Sequence, residues 1–146
     1  MTDRVAVLLF DGTCGFCARS VQFVLAHETR RQTLHFASLQ SEYGTELRRN
    51  HPELERVDSV IWLEPAEAGR PEAVLVRSAA VFRVLHYLGG VWSALATLGR
   101  LVPRVIRDAV YDLVARHRQR LVGSGPSCLL PSPEQRARFI EWDTAA

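Results

Sequence analysis

The chain predicts an α/β fold: a four-stranded mixed sheet covered on both faces by helices, with a helical C-terminal extension. Three observations carry this. An apolar run over residues 4–10 passes through an Asp-Gly turn into a helical pattern that opens with two cysteines. Two short apolar segments, 59–63 and 73–76, flank a turn containing two prolines and a glycine, the pattern of a hairpin. From residue 91 onward apolar residues recur at helical spacing, with no further alternation.

The run 4–10 is continuous rather than alternating, as in a strand buried on both faces. The helix after Cys14 has Phe16, Val21, Val24 and Leu25 as apolar positions and is expected to end near residues 28–30. Residues 33–37 alternate and predict a second strand. Residues 41–50 predict a short polar helix stopped by Pro52. The hairpin follows. Next comes a helix over 78–88, with Ser78 expected as N-cap and Gly89 as the C-terminal stop.

The remaining third starts with a short apolar helix over 91–100. A longer helix begins after Pro103, with Val105, Ala109, Val110, Leu113 and Val114 on one face and Asp112 spaced to pair with Arg116. After a loop over 123–131, Ser132-Pro133-Glu134-Gln135 predicts a capping box and a last helix to about residue 142. One domain is expected over 1–146, a sheet core over 1–90 with the extension 91–146 packed on it. The order β-α-β-α-β-β-α is that of a thioredoxin-like sheet.

Composition narrows the function. Apolar residues make up 47% of the chain, enough for a core without disulfide staples. The net charge is +2, and all 18 basic residues are arginines interleaved with acids, so no nucleic-acid partner is expected. The most apolar window, 79–102, is broken by Arg83, His86 and Arg100, so no transmembrane segment is expected. The N-terminus lacks the features of a secretory signal. Three cysteines in 146 residues do not form a scaffold, which predicts a cytoplasmic, reducing setting.

The chemistry concentrates in Asp11-Gly12-Thr13-Cys14-Gly15-Phe16-Cys17. Residues three apart on a helix share a face, so Cys14 and Cys17 can reach each other. The positive end of the helix dipole favours a thiolate at the first cysteine. A thiolate beside a second thiol is the working unit of thiol–disulfide exchange, with Cys14 as nucleophile and Cys17 as resolving thiol. Asp11 either caps the helix or accepts the proton of Cys17. The rival reading is a zinc or iron–sulfur site. Zinc needs four ligands, and beyond Cys128 there are only His27, His35, His51, His86 and His117, none at paired spacing. No metal and no cofactor are therefore expected. A lone cysteine beside Leu129-Leu130, Cys128 reads as a core thiol rather than a relay. A third reading is a non-catalytic module, whose apolar and arginine-rich helical third docks a protein or a membrane surface while the CxxC serves as a redox-sensitive switch.

The chain resembles the DCC family of thiol–disulfide oxidoreductases, which share a thioredoxin-like fold. Asp11, Cys14 and Cys17 match its first motif. Pro103, Arg107-Asp108-Ala109-Val110-Tyr111-Asp112 and Arg116 to Arg120 match a second block, and Cys128-Leu129-Leu130-Pro131 a third. The chain departs from the family pattern at Val122, where an aromatic residue is usual, and no proline precedes the third strand near Asp58. The resemblance implies dithiol–disulfide exchange on a disulfide-containing protein or a small thiol. Tyr111, Asp112 and Arg118, from the second block, either shape a substrate groove or form a surface salt-bridge network.

Overall fold

The computed structural model describes residues 5–12, 15–28, 33–57, 60–122 and 132–140, without the side chains of residues 15, 118, 119, 121 and 122. The expectations placed on Cys14 and Cys128, and on the side chain of Arg118, lie outside the described residues. The elements run β1 (Val7–Phe10), α1 (Gly15–His27), β2 (His35–Ser38), α2 (Glu42–Asn50), β3 (Ile61–Glu64), β4 (Ala73–Val76), α3 (Arg77–Leu88), α4 (Gly90–Gly99), α5 (Arg104–Val122) and α6 (Pro133–Arg136). A single 3₁₀ turn, Pro52–Leu54, follows α2.

The sheet has the order β2-β1-β3-β4, with β1 parallel to β2 and antiparallel to β3, and β3 antiparallel to β4. It is the mixed four-stranded sheet of a thioredoxin-like fold. Side chains alternate across the pleat. Leu8, Phe10, Phe36 and Trp62 meet Cys17, Val21 and Val24 of α1 and Ala80 and Leu88 of α3. On the opposite face Val7, Leu9, Ala37, Ile61 and Leu63 meet Leu47 of α2 and Leu54. All four residues of β1 are buried, which is why the strand is continuously apolar.

Several boundaries move from their expected places for identifiable reasons. β2 starts at His35 because the amides of Thr33 and Leu34 donate to the Tyr87 hydroxyl, both at 3.1 Å, rather than to a strand. α2 is capped by Ser41, whose Oγ accepts from the Gly44 amide at 3.1 Å. A Cβ at Gly44 would stand 2.6 Å from the Ser38 carbonyl oxygen and 2.7 Å from that of Leu39, so the glycine lets α2 lie directly on the turn that follows β2.

Ser78 is not the N-cap of α3. The helix begins at Arg77, which has φ 56°, with Val76 as the residue before it. Ser78 is buried, and its hydroxyl donates to Asp108 of α5. The expected pairing of Asp112 with Arg116 is replaced by one with Arg77, 4.0 Å away. Gly89 does end α3, and Gly89 and Gly90 (φ 71° and 58°) turn the chain into α4.

The capping box forms as expected at Ser132 and Gln135. The helix stops at Arg136, however, short of the expected end near 142. The chain then joins the free edge of β2: the Phe36 amide donates to Arg138 O (3.0 Å), and the Ile140 amide donates to Phe36 O (2.8 Å). Satisfying those edge groups competes successfully with further helix.

Candidate active site

The C-terminal ends of β1 and β2 lie side by side because the two strands are parallel and in register from Val7↔His35 to Phe10↔Ser38. Asp11 follows β1 and is buried. Its Oδ1 accepts from Gln40 Nε2 at 2.9 Å. Gln40 Oε1 accepts in turn from Ser38 Oγ (2.7 Å) and from the Gly12 amide (3.0 Å), while the Gln40 amide donates back to Ser38 Oγ (3.1 Å). The amide side chain thus ties the Asp11-Gly12 turn to the end of β2 and fixes the carboxylate. A Cβ on Gly12 would stand 2.8 Å from Ser38 Oγ, so this turn is closely fitted to its support.

Sequence reading singled out Asp11 but missed Ser38 and Gln40. The available signal was their position after a strand end, where α/β folds gather their functional groups.

Cys17 is the third residue of α1 and is buried at 3% exposure, one side against Leu8 and Val21. It also contributes to the wall of an apolar cavity of about 710 Å³ between α1, α3 and α5. Phe16, Phe23, Phe82, Val110 and Tyr111 line the same space, together with Ser78 and Arg107. The volume lies within the range of small-molecule sites. The Arg107 guanidinium sits 5.0 Å from the centre of the Phe82 ring, and its Nε is buried without a hydrogen-bond partner.

Of the three second-block residues, Tyr111 stands on the cavity with Cys17, whereas Asp112 faces Arg77 and does not line it. Among the described residues no group of three or more His, Cys, Asp or Glu side chains is placed to hold a metal ion. No described helix is long and apolar enough to cross a membrane.

The sheet order, the two helical layers and a cysteine in the first turn of α1 place the protein in the thioredoxin-like class. Within it, the chain belongs to the DCC1-like thiol-disulfide oxidoreductase family, whose model matches residues 8–124. It is 36% identical over 135 residues to Uncharacterized protein YuxK of Bacillus subtilis (strain 168), a match covering 92% of this chain and 93% of that protein. It is 31% identical over 129 residues to the DCC family protein At1g52590, chloroplastic, of Arabidopsis thaliana, covering 88% of this chain and 71% of that one. No solved structure matches the chain.

Proposed function

We propose that the protein exchanges a Cys14–Cys17 dithiol with a disulfide substrate, either a protein disulfide or a small-molecule disulfide, in a reducing compartment such as the cytoplasm. The observation that carries this reading is Cys17, buried at the start of α1 on the wall of an apolar cavity and three residues after Cys14. Family membership supports the reaction class.

The Cys14 thiolate attacks one sulfur of the substrate disulfide, and the other sulfur leaves as a thiolate. The Cys17 thiol then gives its proton to Asp11 and attacks the Cys14 sulfur, releasing the second substrate sulfur as a thiolate. The substrate gains two electrons and the enzyme ends as the Cys14–Cys17 disulfide. A resolving thiol shielded from water does not react with bulk disulfides, so it acts only after Cys14 has captured a substrate. The cavity, with Tyr111 on its wall, receives the apolar flank of that substrate.

The test is reduction of a model disulfide by the prereduced protein. Cys14→Ser abolishes turnover, and Cys17→Ser still accumulates a mixed disulfide at Cys14. Wild-type turnover in Cys14→Ser, or no adduct with Cys17→Ser, overturns the assignment.

A further inference from the structure

The corner between α4 and α5 has a surface that the dithiol chemistry does not use. Its sequence is Leu98-Gly99-Arg100-Leu101-Val102-Pro103-Arg104-Val105-Ile106-Arg107, with apolar residues and arginines interleaved. Leu101 is 82% exposed, Val105 81% and Leu98 62%; Ile106 is also exposed. Val91 and Leu95 on α4 and Leu113 on α5 are exposed as well. Scattered surface leucines need no explanation, but a contiguous strip of this kind marks a contact surface.

In sequence the strip lies in a stretch free of acids, while in space Arg77 pairs with Asp112, Arg83 with Glu64 and Arg104 with Asp108. No aspartate or glutamate occurs between Glu72 and Asp108, a stretch that holds Arg77, Arg83, Arg100, Arg104 and Arg107. Asp108, the first acid after the corner, is engaged by Ser78 and lies 3.6 Å from Arg104. Arg100 and Arg104 are exposed and precede Leu101 and Val105 in the chain.

This combination separates two kinds of occupant. The centre of a protein–protein interface is enriched in aromatic side chains and methionine, and the exposed apolar residues of this corner are leucine, valine and isoleucine alone, with arginines at every third or fourth position. At a membrane surface the same pattern is favourable. Leucine and valine side chains enter the boundary between headgroups and acyl chains, and arginines lay their stems along it with the guanidinium at the phosphates. We propose that the α4–α5 corner docks the protein on an anionic lipid surface, with Leu98, Leu101 and Val105 inserted and Arg100 and Arg104 on the headgroups. The surface stands apart from Cys14 and Cys17 in sequence, and the proposal is independent of their chemistry.

Flotation of the full chain with lipid vesicles tests this. Vesicles of equal phosphatidylcholine and phosphatidylglycerol are expected to carry the protein up, less so as salt is raised, and vesicles of phosphatidylcholine alone to carry little. Arg100→Gln lowers the partition about fivefold. The double variant Leu101→Asp/Val105→Asp lowers it by about tenfold or more with an unchanged melting temperature, since both side chains are already in water. No flotation with the mixed vesicles overturns the proposal, as does equal flotation of the double variant. Concentration-dependent dimers that the double variant dissolves, without vesicle binding, would assign the strip to a second copy of the chain instead.

Discussion

In the proposed mechanism, Asp11 is the residue on which the second half of the reaction turns. It is buried at the end of β1 and held by the Gln40 amide. Asparagine at this place keeps an oxygen for Gln40 Nε2 but has no basicity for the Cys17 proton. Asp11→Asn is therefore expected to leave capture of substrate by Cys14 intact and to slow release of the mixed disulfide about a hundredfold. Quenching a single turnover at successive times and measuring the trapped adduct reads the second step alone. Equal adduct decay in both proteins makes Asp11 a turn-fixing residue with no part in proton transfer. The position of Asp11 before the cysteines was readable from local sequence. Its partner was not, because Gln40 lies 29 residues away and meets it only through the parallel pairing of β1 with β2.

At the scale of elements, the α3–α4 corner carries a pH response. His86 on α3 shares a hydrogen bond with Ser93 of α4 (Nδ1···Oγ 3.0 Å), and its Nε2 is buried without a partner. Burial lowers the pKa of the ring below its ordinary 6.5, and the positive charges of Arg100 and Arg83 lower it further. The unfolded chain thus takes up this proton more readily than the folded one. The stabilisation from neutral His86 is complete above about pH 6.5 and is lost as pH falls from there through the lower folded value. His51 has the opposite sign. Its hydrogen bond to Glu72 (2.8 Å) leads the upward shift, assisted by Glu53, so its contribution is complete below the unfolded pKa and fades as pH rises through the raised one.

Comparing melting temperatures of wild type and His86→Gln isolates the first effect. The wild type is expected to lose stability relative to the variant between about pH 7 and pH 5, and parallel curves would exclude it. Gly89 as the end of α3 was legible, because a helix stop is a local property. The role of Ser78 was not. A serine before an apolar repeat has the form of a cap, but its hydroxyl is taken by Asp108, 30 residues away on α5.

At the scale of the whole molecule, one ion pair closes the fold over a separation of 110 residues. Glu28, just after α1, is buried at 3% exposure and receives both terminal nitrogens of Arg138; the Nη2···Oε2 distance is 2.7 Å. The Tyr87 hydroxyl donates to the same carboxylate at 3.1 Å, and Arg138 Nε donates to Leu34 O at 2.9 Å. The guanidinium also lies 5.4 Å from the centre of the Phe36 ring, so Arg138 holds the last described segment against β2 while Phe139 stacks on Phe36. No local pattern announces such a contact, which is why residues 138–140 read as helix in the sequence and pair with a sheet edge in the structure.

A buried pair is weak evidence of net stability, but removing one partner strands the other. Arg138→Met is expected to cost about 3 kcal/mol, lowering the melting temperature by roughly 10 °C for a chain of this size. Glu28→Leu/Arg138→Met, which removes both charges, is expected to recover more than half of that loss, because no carboxylate is then left in the core. Thermal unfolding of the wild type, both single variants and the double variant yields the coupling between the two sites directly. A loss below about 1 kcal/mol for Arg138→Met, the value of an exposed pair, would mean that water reaches Glu28 and that the C-terminal segment is not what seals this edge of the sheet.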